Sequence, residues 1–72
     1  MEYKVFMHLL DIENEKLKVY GVALFVNGSE VLRVKDVSTD YNAILNFVNE
    51  LNEIHLDPFC LGEYVENFIN GN

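Results

Sequence analysis

Two hydrophobic rhythms divide the chain. From Tyr3 to Val37 apolar residues alternate with polar ones or run together in stretches rich in Val, Phe, Tyr and Leu; from Tyr41 to Ile69 they recur every three or four positions. The first rhythm fits strands, whose successive side chains point to opposite faces, and the second fits helices with one apolar stripe. A first strand is expected from about Tyr3 to Ile12 and a second from about Leu17 to Val26, joined by the polar Glu13-Asn14-Glu15-Lys16. With Asn14-Glu15 as a two-residue loop, Glu13 faces Lys16 and Asp11 faces Lys18, two opposite-charge pairs of roughly 0.2–1 kcal/mol each. Asn27-Gly28 is a strong hairpin signal, because a type I′ turn needs two residues that tolerate positive φ. A third strand then runs from about Glu30 to Val37.

Ser38-Thr39-Asp40 marks the change of period with an N-cap and an acid for the first helical turn. Tyr41, Ile44, Leu45, Val48 and Leu51 follow as a stripe widened by Phe47, while Asn42, Asn46, Asn49, Glu50 and Glu53 form the wet face. Asp57-Pro58 opens a second helix, since the amide that proline lacks is unpaired at the first helical position anyway. Leu61, Tyr64, Val65, Phe68 and Ile69 make its stripe, and Asn70-Gly71 ends it. The predicted fold is α+β, a three-stranded antiparallel meander followed by two α-helices packed on one sheet face, in the order β-β-β-α-α. Residues 1–72 form one domain, with residues 1–37 as sheet and residues 38–72 as the two-helix layer. Helices this short need docking to persist.

The registers divide the sheet into two faces. One carries Phe6, His8, Leu10, Ile12, Leu17, Val19, Gly21, Ala23, Phe25, Leu32 and Val34. Its small Gly21 and Ala23 admit close helices, which makes it the expected core face. The other carries Tyr3, Val5, Met7, Leu9, Tyr20, Val22, Leu24, Val26 and Val31, with Lys16, Lys18, Arg33 and Lys35 toward one end. So apolar a face exceeds what a monomer normally exposes. Covering even ~600 Å² of it at about 25 cal/mol per Å² is worth on the order of 15 kcal/mol gross. A homodimer packed sheet face to sheet face is therefore expected, with Val5, Met7, Tyr20, Val22, Leu24, Arg33 and Lys35 in contact. The register of the first hairpin controls this assignment, because a slip of one residue exchanges a strand's faces.

Charge sharpens the picture. Five basic residues against twelve acids give −7, and no base follows Lys35. Residues 1–35 hold five of each sign, so the whole imbalance lies beyond them. An acidic chain is repelled by phosphate backbones and anionic membranes, so neither nucleic acid nor membrane is an expected partner. Lys16, Lys18, Arg33 and Lys35 beside Tyr20 look superficially like a base-stacking sheet, but rim residues around a dimer contact explain them as well. Seventy-two residues make a core barely large enough alone, which favours association. One cysteine allows no internal disulfide and no Cys/His spacing fits zinc, pointing to a reducing, cytoplasmic location. The absence of a basic segment before an apolar run gives the expectation of a chain with no secretory leader or membrane span.

Candidate chemistry is sparse. Cys60 falls at the start of the second helix, where unpaired amides lower a thiol pKa, and His55 stands five residues before it. A lone cysteine beside Leu61 is better read as a small buried hydrophobe, His55 as a capping or packing residue, and His8 as a satisfied histidine. A metal cluster of His8, His55, Asp57 and Cys60 would need distant segments brought together. Glu50 with Glu53 and Glu63 with Glu66 share helix faces as solvated pairs. No glycine loop cradles phosphate. No catalytic residue, cofactor or metal site is therefore expected.

Asp36-Val37-Ser38-Thr39-Asp40, the asparagine-rich amphipathic helix, and Leu56-Asp57-Pro58-Phe59-Cys60-Leu61 continuing through Glu63, Val65, Glu66, Asn67, Phe68 and Ile69 resemble a family of small proteins from clostridia and related Firmicutes. That family is known only as a domain of unknown function. The resemblance covers roughly residues 17–70, starting with the Tyr20-Gly21 pair. The family reads Leu-Ser-Pro-x-His-Leu-x-Asp where this chain has Asp57 for the serine and Cys60 for the histidine. It implies a cytoplasmic Firmicutes protein and brings no activity, substrate or cofactor.

The expected function is a non-enzymatic interaction module that self-associates through its free sheet face or uses it for a protein partner. The alternative is a small-ligand binder or minor enzyme built on His55, Asp57 and Cys60 at the helix junction. In the first case Val22→Asp should yield monomer or insoluble protein; in the second Cys60→Ser should alter ligand-dependent melting and leave assembly intact.

Overall fold

In the computed structural model, which describes residues 1–71, the chain forms β1 (Glu2–Ile12), β2 (Glu15–Val26), β3 (Ser29–Ser38), α1 (Tyr41–Glu53), a 3-10 turn (Pro58–Cys60) and α2 (Leu61–Ile69). The strands pair antiparallel in the order β1-β2-β3. This is the predicted β-β-β-α-α, α+β architecture.

Glu13 and Asn14 both adopt positive φ, 50° and 69°, so they and not Asn14-Glu15 are the central pair of the first turn. Asparagine tolerates the left-handed region better than glutamate, and this loop gives Asn14 the more strongly left-handed of the two positions. Ile12 consequently faces Glu15 and Asp11 faces Lys16, replacing the expected Glu13–Lys16 and Asp11–Lys18 pairs. The register moves by two residues, an even slip, so every side chain of β1 and β2 keeps its assigned face. Asn27-Gly28 forms the second turn as expected, with φ of 52° and 82°.

β3 departs from expectation beyond that turn. Phe25 faces Glu30, yet Leu24 faces Leu32, so one extra residue is accommodated as a bulge. Such an insertion inverts everything past it. Leu32 and Val34 thereby join the face of Leu24 and Val22, while Arg33 joins Ala23. A second irregularity falls where Asp36 takes a φ of 57°, after which Val37 enters the core and Ser38 faces Tyr20.

The helices cover the face opposite to the one predicted. Tyr3, Val22 and Leu24 pack with Val37, Ile44, Phe47, Val48, Leu51, Leu56, Leu61 and Val65, and Val5, Tyr20, Val26 and Val34 border that cluster. Gly21 and Ala23 are small for a different reason than helix approach: the ring of Phe6 lies across the sheet over Gly21. A Cβ at Gly21 would sit 2.6 and 2.7 Å from that ring and would collide with the carbonyl oxygen of Val34. Side chains from the outer strands can cross the central strand only where it is small.

Local signals set the helix ends. The Asp40 carboxylate accepts from the Ala43 amide at 3.1 Å, and Ser38 Oγ accepts from the Asp40 amide at 3.0 Å. At the other end His55 takes a φ of 52°, its amide donates to Asn52 O, and the Leu56 amide donates to Leu51 O. These are the two bonds of a Schellman motif, closed by contact between buried Leu51 and Leu56. Asp57 accepts from the Phe59 amide at 3.0 Å and Pro58 starts the 3-10 turn, so that cap precedes α2 by one short turn.

Candidate functional site

Among the described residues, one face of the sheet carries no second layer. β1 contributes Lys4, Phe6, His8, Leu10 and Ile12 to it, β2 contributes Leu17, Val19, Gly21, Ala23 and Phe25, and Arg33 follows from its pairing with Ala23. Toward the helix end of the sheet, long side chains fold across the small central strand. The Arg33 guanidinium lies 4.5 Å above the Phe6 ring and is held by Glu30 at 2.7 and 3.1 Å. His8 stacks near Phe6 at 6.2 Å, and its Nε2 lies 2.8 Å from Asp36 Oδ1. Lys4 Nζ sits 4.8 Å over the Phe25 ring and 4.0 Å from Glu2. Each cation thus has an aromatic face or a carboxylate, an arrangement that shields Val19, Gly21 and Ala23 from water.

Farther along, the hairpin outruns its cover. β3 pairs with β2 only as far as Tyr20, so residues Glu15 to Val19 have β1 alone as a neighbour. Leu10 and Leu17 face each other there, and Ile12 and Leu17 remain 51% and 41% exposed. With Leu10, they make an exposed apolar end to an otherwise charge-matched surface.

The expected contact residues divide. Contrary to expectation, Val5, Tyr20, Val22 and Leu24 do not form a free surface: Val22 is 0% and Leu24 2% exposed beneath the helices, and Tyr20 packs on Tyr41 at 5.4 Å. Gly21 and Ala23 are small to admit the Phe6 ring and not a helix, so the helices take the other face. Met7 lies on the helix side, beyond the helices' reach, and is exposed. Arg33 and Lys35 are exposed, Arg33 on the uncovered face and Lys35 two residues farther along the same strand. Of Lys16, Lys18, Arg33 and Lys35, the first two keep the face of Tyr20 along β2, whereas the bulge carries Arg33 to the other side.

The helix junction has a different organisation from a reactive cluster. Tyr3 donates its hydroxyl to Leu56 O at 2.8 Å across fifty-three positions, and its backbone N–H and C=O are both bonded to the Asn52 side chain at 2.7 and 2.8 Å. His55 is exposed at the helix stop, Asp57 serves as a cap, and Cys60 is partly buried against the core. Among the described residues no hydrogen bond joins His55 to Asp57 or Cys60, and no group of three His, Cys, Asp or Glu is placed to hold a metal. A cleft of about 200 Å³ between the helices is lined by Phe47, Glu50, Tyr64, Asn67 and Phe68, over a stacked Phe47–Phe68 pair.

Burial raises the Tyr3 phenol above its ordinary pKa, with negative Asp57 and then Cys60 adding to the effect. The folded chain therefore holds that proton more tightly than the unfolded chain. Its contribution is fully present below the ordinary value near 10 and is lost as pH rises through the raised folded value. Tyr3→Phe should cost about 1–2 kcal/mol at neutral pH through the lost bond to Leu56. That gap from wild type should narrow above about pH 10 in urea titrations. A gap that stays constant into alkali would contradict the buried phenol.

The chain matches no family model, no curated protein and no solved structure. Among the described residues no helix is long and apolar enough to cross a membrane.

Proposed function

We propose that this protein is a cytoplasmic, non-enzymatic interaction module that self-associates through the sheet face its helices leave uncovered. The supporting observation is that one face is packed by both helices while the other ends in exposed Leu10, Ile12 and Leu17. A lone free cysteine suits a reducing compartment.

Charge selects a second copy as the occupant. Residues 38–71 carry six acids and no base, so two helix layers repel each other. The sheet half carries six acids and five bases, many paired in place, and can meet its own copy without a large like-charge cost. Strands of eleven and twelve residues at ~3.3 Å per residue, three abreast at ~4.8 Å, give a footprint of roughly 500 Å². Accessible area exceeds footprint on a face bearing side chains, which brings it near the ~800 Å² per partner of a standard interface.

Leu17→Asp tests this directly, because an exposed position tolerates the charge without unfolding. The expected result in size-exclusion light scattering is half the wild-type mass, with unchanged circular dichroism. An unchanged mass would contradict a contact through this face.

A further inference from the structure

We infer that the free edge of β1 is a second contact between copies, pairing antiparallel with the same strand of a partner to join two sheets into one. Asn52 reveals which groups are available. Its side-chain amide bonds both the N–H and the C=O of Tyr3, so Tyr3 directs its backbone away from β2. In an antiparallel ladder this direction alternates, so Val5, Met7, Leu9 and Asp11 also present their N–H and C=O outward. The first turn agrees, since Ile12 and Glu15 flank a two-residue loop and such a flanking pair bonds inward. β1 runs through these positions without a register shift or proline.

The edge is self-complementary in one register above others. Pairing Val5 with the partner's Asp11 and Met7 with the partner's Leu9 uses all four free residues of both strands, about eight hydrogen bonds. Sliding by two residues one way would require Tyr3, which Asn52 already occupies; sliding the other way leaves Val5 unused. Asn52 thus acts as a stop that fixes the register. In that register exposed Met7 and Leu9 meet the partner's Leu9 and Met7, and Phe6 meets the partner's Leu10 on the other face. Pairs of this kind are what stabilise a sheet.

In that register Lys16, level with Asp11, stands near the partner's Val5 and Lys18, level with Leu9, near the partner's Met7, while Glu13 lies beside the partner's Tyr3. Among the described residues Lys18 makes no ion pair, and Lys16 reaches only Asp11 at 3.9 Å. This contact is independent of the face-to-face contact proposed above; with both made, the assembly holds four protomers.

Leu9→Pro removes one outward N–H and no bond to β2, so the protomer keeps its fold, as edge prolines allow. In the Leu17→Asp background, light scattering should report two protomers, and adding Leu9→Pro should reduce them to one. Backbone amide exchange of the folded Leu17→Asp protein should show Val5, Met7 and Leu9 protected on the order of 100-fold or more over unfolded rates. A Leu17→Asp protein that is already one protomer, or outward amides exchanging at unfolded rates, would overturn the edge contact. If Leu17→Asp leaves the wild-type mass while Leu9→Pro alone yields a single protomer, the edge stands and the face contact falls.

Discussion

Val22→Asp is expected to yield a chain that does not fold. Val22 is fully buried in the core formed with Ile44, Leu51 and their neighbours, and no cation or donor is available to a carboxylate there. The effective cost of burying an unpaired charge is several kcal/mol. Seventy-two residues at about 0.05–0.15 kcal/mol each have roughly 4–11 kcal/mol of stability to lose. Far-UV circular dichroism at 25 °C should show loss of both strand and helix signals, where Leu17→Asp on the opposite face shows neither. A Val22→Asp protein that folds normally and changes only its mass would mean that the helices lie on the other face.

Gly21→Ala carries the second large effect. The added methyl group meets the Phe6 ring on one side and the Val34 carbonyl oxygen of β3 on another. Overpacking of this kind costs about 1–3 kcal/mol, and more where the obstacle is backbone that cannot rotate away. A loss of about 3 kcal/mol in urea denaturation is the expected result. Phe6→Leu should recover part of it, since the ring is only one of the two obstacles, and the coupling between the two substitutions measures that part. Additive effects would mean that the ring does not lie over Gly21.

Much of the fold is legible because its signals are local. Asn27-Gly28, the Asp57-Pro58 start and the change of period at Thr39 each act over a few residues and appear near their expected places, while Ser38-Thr39-Asp40 supplies the cap from Asp40 itself and leaves no acid in the first turn of α1. Which sheet face the helices choose is decided otherwise. Strand β2 is apolar on both sides, so alternation gives no preference, and the decisive fact is that Phe6 crosses over Gly21 from a different strand. The bulge opposite Leu24 is equally silent, as Glu30-Val31 carries no glycine or proline to mark it. Its effect is large all the same, for it moves Arg33 away from Tyr20 and places it over Phe6. The Asn52 bond to Tyr3 joins residues forty-nine positions apart, and asparagine on a helix's polar side reads in sequence as simple solvation.

Phe59 adds a contrast within the helix layer. It is 99% exposed on a turn held by Asp57 and Pro58, whereas Leu56 and Leu61 on either side are buried. The stripe periodicity correctly omits it.

With helices on one side of the sheet only, the proposed self-association would supply the remaining cover. Light scattering of the wild-type protein across a dilution series from millimolar to micromolar tests this most directly. An assembly of two or more 8.3 kDa protomers that dissociates on dilution is predicted. A single protomer mass throughout the series would contradict it.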